Sequence, residues 1–382
     1  MSRRLATSLS GLALAAALAL PSTAGADECP APGQWLAGDG SPVAADRLLR
    51  AMADREVLLL GERHDRADHH RWQLHTLAGL HALRPELVIG LEMLPREAQP
   101  ALDAWVAGEL SEAEFLAASD WYAHWRLDPD LYLPILHFAR LHGVPLKALN
   151  VTAELRRRLA SEGWEGWEAV PTTEHYGITP PATPAPAYRE TLAESFAEHD
   201  LEPAAIDRFV AAQLVWDRAM ASALAEAAGE EALVVGLMGW RHLAHGQGVP
   251  HQLADLGIED QRALMPRPAT EACTPPAAGL ADGFFVIDET ADTGAPAAPR
   301  LGVLIGPGED GVTIESVETG SVAEAAGLRE GDLLLSAAGR PLASPGELSA
   351  LIHDLLPGTL LPLEVRRDDA TRELLARFPP SR

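Results

Sequence analysis

The stretch Val57-Leu-Leu-Leu-Gly-Glu-Arg-His64 decides the fold of this chain. An unbroken apolar run that passes directly into glycine and charged residues is typical of a strand buried on both faces. Similar apolar runs, separated by helical patterns, recur at 87–91, 144–149, 233–238 and 284–287. Strands that alternate with helices predict an α/β fold with a mostly parallel sheet covered by helices.

The regions between and after these strands predict the domain organisation. Two long helical stretches, at 97–142 and 188–228, predict a helical subdomain beside the sheet. The Pro- and Thr-rich residues 171–187 predict a loop or flap between them. We expect the α/β domain to cover residues 43–290, followed by a linker of small residues and proline over 291–299.

Histidine and glutamate side chains follow three of the predicted strands. They are Glu62 and His64 after the first strand, Glu92 after the second and His242 after the run at 233–238. The helix after the first strand places His70 near the same strand end. Because carboxyl ends of parallel strands share one sheet edge, these groups should converge where α/β proteins bind ligands. A single histidine there is more often structural, but three strand ends favour a shared site for metal binding or acid–base chemistry.

The residues at these strand ends resemble a known family. Gly61-x-x-His64 and Gly239-x-x-His242, with Glu92 after the second strand, are similar to the Tiki/TraB/ChaN superfamily. The ChaN-like haem-binding uptake branch is the most similar, through the Gln-Leu-Val-Trp-Asp-Arg run that begins at Gln213 and through Gly246-x-Gly-Val-Pro250. Further matching residues are His70, Gln73, Trp121, Trp125, Tyr132, Pro134, Ala139 and Asn150. The resemblance covers residues 43–290.

The resemblance implies haem binding linked to iron acquisition. Haem needs an apolar slot, an axial nitrogen or oxygen ligand and cations for its propionates. The candidates are the aromatic residues Trp121, Tyr122, Trp125 and Tyr132, and the arginines Arg63, Arg66, Arg71, Arg126 and Arg241. The axial ligand stays open among His64, His242, Tyr122 and Tyr132, with His70 as a further haem-contacting residue. Aromatic residues at helical spacing also have an ordinary role in the core.

One departure from the family pattern bears on ligand specificity. The family usually has a pair of small polar residues before the second histidine, where this chain has Trp240 and Arg241. The backbone motif is intact, but bulk and a positive charge lie beside the site. The resemblance therefore predicts the ligand of this chain less strongly than it predicts the fold.

Relatives in the wider superfamily suggest hydrolysis as the alternative chemistry. A bound divalent metal lowers the pKa of its water to about 7, and a carboxylate can then act as base. In this hypothesis His64, Glu92 and His242 are the metal ligands and Glu62 is the general base of a protease- or esterase-like hydrolase. We expect a binding protein rather than an enzyme, and a purely scaffolding role in the envelope is a third alternative.

The residues from Arg300 onward resemble a bacterial PDZ domain over 300–382. The run Ala-Glu-Ala-Ala-Gly-Leu-Arg-Glu-Gly-Asp332 is its most diagnostic part. Such a domain binds an extended peptide or protein C-terminus at an open sheet edge beside a helix. The resemblance makes Leu301, Gly302, Val303 and Leu304 the carboxylate-binding turn and strand, and Leu348, Leu351 and Ile352 the apolar wall. The alternative is a packing module that binds no peptide.

The N-terminal residues predict export. A charged start, a short apolar run and the triplet Ala24-Gly25-Ala26 are typical of a signal peptide over residues 1–26, which would place the mature protein in the periplasm. We expect no membrane span after its cleavage. The only cysteines, Cys29 and Cys273, should form a disulfide in that oxidising compartment.

The charge balance limits the class of partner. The chain has 55 acidic and 30 basic residues, a net charge of −25. Such an excess argues against nucleic acid and anionic membrane surfaces as partners. The resemblances imply haem or another small ligand and a peptide as partners, and a homodimer that shares a haem stays open.

Overall fold

The structure is a computed structural model that describes residues 29–125, 127–164, 176–198, 206–228, 232–289, 299–353, 355, 358–368 and 370–379. The predicted signal peptide, all but the last residue of the predicted linker, Arg126 and the first part of the predicted flap lie outside these residues. Within the described part of the chain, no helix has the length and hydropathy that a membrane crossing requires.

An eight-stranded sheet forms the centre of the first domain. Its strands are β1 (Trp35–Ala37), β2 (Pro42–Val43), β3 (Val57–Glu62), β4 (Leu87–Pro95), β5 (Leu146–Asn150), β6 (Leu233–Gly239), β7 (Gln261–Pro268) and β8 (Gly283–Ile287). They lie in the order β2-β1-β8-β7-β3-β6-β4-β5. The strands from β8 to β5 pair in parallel, and β1 and β2 add an antiparallel edge. The predicted fold class is confirmed.

The position of β3 explains its unbroken apolar run. It lies between β6 and β7, and all six of its residues are buried. Leu58 and Leu60 belong to the hydrophobic core on one face of the sheet, and Leu59 belongs to the core on the other face. A strand with helices on both faces has no solvent-facing position at which a polar residue would be favoured.

Helices cover both faces of this sheet. They are α1 (Ala45–Ala53), α2 (Ala67–Leu83), α3 (Gln99–Val106), α4 (Glu112–Ala118), α5 (Trp121–His124), α6 (Leu133–His142), α7 (Ala153–Glu162), α8 (Pro186–Glu198), α9 (Ile206–Ala227) and α10 (Val249–Asp255). Buried residues of α3 to α6 pack on the face of Leu58 and Leu60, whereas those of α9 and α10 pack on the face of Leu59. The two long helical stretches thus cover opposite faces rather than packing together.

β7 was not expected from the sequence, because Pro266 and Pro268 interrupt its apolar pattern. It pairs with β3 through residues 261–264 and with β8 through 264–268. Both prolines therefore lie in the half of the strand that has a neighbour on one side only. Proline is tolerated there because one edge of the strand makes no ladder hydrogen bonds.

A disulfide closes the first domain. Cys29 and Cys273 are bonded as the sequence predicted, with their Cα atoms 4.8 Å apart. Cys273 lies in the turns between β7 and β8. The bond therefore ties the first described residue of the chain to the end of this domain.

The second domain is a small antiparallel sheet with two helices. Its elements are β9 (Val303–Gly308), β10 (Gly311–Val317), α11 (Val322–Ala326), β11 (Leu333–Ala337), β12 (Arg340–Pro341), α12 (Pro345–His353), β13 (Leu360–Arg367) and β14 (Ala370–Arg377). The strand order is β14-β13-β11-β10-β9, with β12 paired to β11. Its core is its own and includes Ile314, Leu334, Leu348 and Val365. β9 lies at the edge of the sheet and can accept a further strand.

Candidate functional site

The sheet order brings the predicted site residues together. β6 lies between β3 and β4, and its register places Gly239 beside Glu62. Glu92 is part of β4, and His242 lies in the short 3-10 helix that follows β6. The order of the strands in the sheet, which differs from their order in sequence, thus brings these polar side chains to one edge.

Glu62 organises one half of the site. It is 1% exposed and accepts a hydrogen bond from the Tyr132 hydroxyl at 2.5 Å. Its Oε1 also lies 2.8 Å from Nδ1 of His64, and its Oε2 lies 3.3 Å from Nε2 of His70. Burial would raise the pKa of Glu62, but the hydrogen bond with His64 and the close approach of His70 outweigh it and hold the pKa well below its usual range. Glu62 is therefore ionised.

Asp217 organises the other half. This residue of α9 is fully buried, and its Oδ1 lies 2.6 Å from Nδ1 of His242. Its Oδ2 accepts a hydrogen bond of 2.6 Å from the hydroxyl of Tyr188 on α8. Asp217 belongs to the run that resembles the family, but its role was not predicted from the sequence, and Tyr188 was not predicted as a site residue. The available signal was a charged residue on the apolar stripe of α9 that includes Val210, Ala221 and Leu224.

Glu92 lies between the two histidines. Its Oε2 accepts a hydrogen bond of 2.6 Å from the backbone N–H of Gly239. Its Oε1 lies 3.5 Å from Nε2 of His242 and 3.9 Å from Nε2 of His64, and it accepts no hydrogen bond from any described residue. Two imidazoles thus face one buried carboxylate oxygen, each with a second carboxylate on its Nδ1.

These carboxylates change the protonation of both histidines. Burial alone would lower the pKa of His64, but the hydrogen bond with Glu62 and the charge of Glu92 outweigh it and raise the pKa to about 9. The pKa of His242 is also raised, because Glu92 and Asp217 outweigh its burial. Without a bound cation, the protonated imidazole of His64 balances part of the negative charge of Glu62 and Glu92.

The surroundings of His64 are aromatic and tightly packed. Its ring meets the ring of Trp125 edge-on, with centroids 4.7 Å apart. A Cβ at position 239 would lie 2.9 Å from Cε1 and Nε2 of His64, so the glycine of the second motif leaves room for the imidazole. The His64 side chain is nevertheless 34% exposed, unlike those of His70 and His242, which are buried.

The other predicted haem-site residues are more dispersed. Tyr132 is buried and bound to Glu62, and Trp121 is in the core. Tyr122 lies beside His353 of the second domain, with ring centroids 6.0 Å apart. Arg66 pairs with Asp68, and the Arg241 guanidinium lies 5.7 Å from the ring centroid of Trp240. The predicted histidines and carboxylates thus form a compact cluster, whereas the predicted aromatic and cationic residues are spread around it.

The chemistry of the donor set suits a cation. Imidazole nitrogens and a carboxylate oxygen are ligands for divalent transition metals, and carboxylates on Nδ1 orient such histidines. His64, Glu92 and His242 do not form a compact ligand set as they stand. A more compact group of possible metal ligands among the described residues is Asp128, Asp130 and His353. One ligand atom from each of these residues lies within 4.8 Å of the other two.

A second candidate site lies along β9. A groove of about 530 Å³ runs between β9 and α12 and includes the predicted peptide-binding residues Leu301, Gly302, Val303, Leu304, Leu348 and Ile352. Gly302 has a φ of +78°, and a Cβ there would lie 2.3 Å from Cβ of Ser321. Tyr122, Leu127 and Asp128 of the first domain line the same groove. The groove is therefore built from both domains.

Comparison with known proteins agrees with this architecture. The family model described as "Haem-binding uptake, Tiki superfamily, ChaN" matches residues 48–253, more than half of the chain. The chain belongs to this family. The predicted resemblance is thus confirmed, and a PDZ-domain model matches residues 313–367.

Three further comparisons locate the similarity. The structure of ChaN from Campylobacter jejuni, described as showing cofacial haem binding, has 18% sequence identity and a TM-score of 0.50, and the match covers 66% of this chain and 95% of that one. The magnetosome formation protease MamE of Paramagnetospirillum magneticum is 40% identical over 80 residues, which are 21% of this chain and 11% of MamE. The HtrA3 PDZ domain with a phage-derived ligand is 24% identical, with a TM-score of 0.19, over 21% of this chain and 84% of that one. The ChaN comparison shows the fold of the first domain.

Proposed function

We propose that this protein is an exported haem-binding protein that takes part in haem or iron uptake and docks onto a protein partner through its PDZ domain. The observation that carries the proposal is the position of His64. It is a partly exposed imidazole at the sheet edge of a ChaN-like domain, with its Nδ1 held by a buried carboxylate. Export is supported by the signal-peptide pattern and by the disulfide between Cys29 and Cys273.

His64 and its neighbour Trp125 offer two of the features that a haem requires, an axial nitrogen and an aromatic surface. When bound, haem supplies an iron centre that takes axial nitrogen or oxygen ligands from the protein. His64 would hold it, since His70, His242 and Tyr132 are buried. The Glu62 carboxylate on Nδ1 fixes the ring and raises the basicity of Nε2. The partly exposed indole of Trp240, in the residue after Gly239, offers apolar surface near this edge of the sheet.

A haemin titration tests the proposal. We expect the mature protein, residues 27–382, to give a saturable red-shifted Soret band near stoichiometric haemin. His64→Ala should weaken haemin binding by at least about tenfold because it removes the axial nitrogen. His75→Ala is the matched control, since His75 is an exposed histidine on the same helix, α2, as His70. A featureless titration of the wild-type protein would contradict haem binding.

One observation favours a divalent-metal hydrolase as the second candidate. His64 and His242 face the unbonded Oε1 of Glu92, and each is oriented by its own carboxylate. A metal there would have His64, Glu92 and His242 as ligands and Glu62 near it as a base. Metal analysis of protein purified without chelators, with peptide and ester hydrolysis assays, tests this alternative. Metal-free, inactive protein that binds haemin would exclude it.

A further inference from the structure

Arg156 lies at the edge of the site. It belongs to the second turn of α7, which begins just after β5, the strand next to β4 and Glu92. Its guanidinium lies over the ring of Trp216, with Cζ 4.1 Å from the ring centroid. The Trp216 ring in turn meets the ring of His242 at 5.0 Å. Arg156 therefore reaches the His242 side of the histidine–carboxylate cluster.

Among the described residues, the half-buried guanidinium of Arg156 lacks the protein partners that the buried arginines Arg218 and Arg267 have. Arg218 is bonded to Asp255, Thr179 and Gln252, and Arg267 donates to two backbone carbonyls. Within the described residues, Arg156 donates no side-chain hydrogen bond and forms no ion pair, although it is partly buried. Burial lowers the pKa of Arg156, and the charge of Glu92 only partly offsets this. A partly buried guanidinium that has no protein acceptor is available to an anionic ligand.

A second donor beside Arg156 also lacks an acceptor. The indole Nε1 of Trp216 is buried and makes no hydrogen bond within the described part of the chain. Both groups are donors only. The buried indole N–H of Trp216 lacks an acceptor among the described residues, and the guanidinium of Arg156 is free to donate to a ligand. A planar carboxylate matches the fork of a guanidinium and can accept two parallel hydrogen bonds from it.

We infer that Arg156, supported by Trp216, binds a carboxylate of the ligand held at the histidine–carboxylate cluster. The inference rests on the proposed haem-binding function, in which that carboxylate is a haem propionate. The tetrapyrrole and the propionate then make separate contributions to affinity, the first through His64 and the second through Arg156.

Haemin and its dimethyl ester separate these contributions. The ester keeps the ring and the iron but has no free carboxylate. In full-length mature protein we expect Arg156→Met to weaken haemin binding by at least about tenfold, as loss of a charge-assisted hydrogen bond would. The same substitution should change the affinity for the dimethyl ester by less than about twofold. Arg157→Met is the matched control, because Arg157 is the exposed neighbour on the same helix, and it should leave both affinities unchanged.

The outcomes are distinguishable. If wild-type protein binds haemin and Arg156→Met binds it equally tightly, the inference is overturned and the proposed function stands. An equal loss of affinity for haemin and for the ester would also overturn it, since Arg156 would then only support the fold. If wild-type protein binds neither compound, both proposals fail. Arg156→Lys, which keeps the charge but not the fork, is the second variant should Arg156→Met not fold, and a smaller loss for haemin alone is expected.

Discussion

Glu62 and Asp217 have equivalent roles on the two sides of Glu92. Glu62 contacts Nδ1 of His64 and accepts a hydrogen bond from the Tyr132 hydroxyl. Asp217 contacts Nδ1 of His242 and accepts a hydrogen bond from the Tyr188 hydroxyl. A carboxylate on Nδ1 fixes the tautomer of the ring and raises the basicity of Nε2. The two imidazoles are thus oriented before any ligand binds, and they differ in access, because His64 is partly exposed and His242 is buried.

His69, beside this cluster, provides a test of pH dependence. The residue is 5% exposed, and its Nδ1 accepts a hydrogen bond of 3.0 Å from the backbone N–H of Arg63, so the imidazole is neutral in the folded protein. Burial lowers the pKa of His69 to about 4 from 6.5. Because the folded pKa is the lower one, the unfolded chain takes up the proton first as the pH falls, and stability is lost from about pH 6.5 down to about pH 4.

His69→Asn should reduce this pH dependence. Asparagine keeps an acceptor for the Arg63 N–H but does not titrate. We expect the free energy of unfolding, measured with urea at pH 7 and pH 5, to fall less for His69→Asn than for the wild-type protein. His75→Asn, an exposed position on the same helix, should behave as wild type. An identical pH dependence in the His69 variant would show that other groups cause the acid destabilisation.

At the scale of elements, the edge position of β9 has a direct consequence. Its outer side has no partner strand within the described domain, and Leu304 projects from it with 54% of its surface exposed. An extended peptide can add there as a strand while α12 supplies the apolar wall. The carboxylate-binding role of the turn at Gly302 remains a prediction.

Peptide binding at β9 can be measured by fluorescence anisotropy. We expect labelled peptides with a free C-terminal carboxylate and an apolar last residue to bind saturably, and their C-terminally amidated forms to bind much more weakly. Leu304→Glu should weaken binding by about tenfold or more, because it introduces a charge into the groove. Leu360→Glu is the control, since Leu360 is 50% exposed on β13 and does not line the groove. If none of a broad set of such peptides binds saturably, the PDZ domain is a packing module that binds no peptide.

At the scale of the whole molecule, both domains contribute to one surface. Tyr122 lines the peptide groove, while Trp125, one turn later in the chain, contacts His64. His353 of α12 lies 3.5 Å from Asp128 of the first domain. The segment that contains α5 thus lies between the haem-site candidate and the peptide groove, and a peptide bound in that groove would contact the first domain.

The Cys29–Cys273 bond is the other long-range constraint, with a sequence separation of 244 between the two cysteines. Replacing both with serine should lower the free energy of unfolding by about 2–4 kcal/mol, because the unfolded chain regains the entropy of an open loop. Urea unfolding of the double variant checks this, and reduced wild-type protein should match it. Intact mass of the exported protein should show a start at Asp27 and the loss of two hydrogens. An unchanged unfolding midpoint would contradict the stabilising role.

Much of the fold was predictable from local pattern. The runs at 57–60 and 233–238 are strands because their residues are buried on both faces, which leaves an unbroken apolar signature. β7 and the short strands β1 and β2 were missed, because two prolines interrupt β7 and two or three residues carry too little pattern. The pairing of the cysteines was predictable because the chain contains only two.

The sequence was sufficient to predict the class of the fold, the PDZ domain and the strand ends that carry Glu62, His64, Glu92 and His242. The groups that complete the site became visible only in the folded structure. Glu92 accepts a hydrogen bond from Gly239, at a sequence separation of 147, because β6 lies between β3 and β4 in the sheet. Local sequence pattern does not encode this strand order. Asp217, Tyr188 and Arg156 come from helices, and the direction in which a helical side chain points is set by packing against its neighbours.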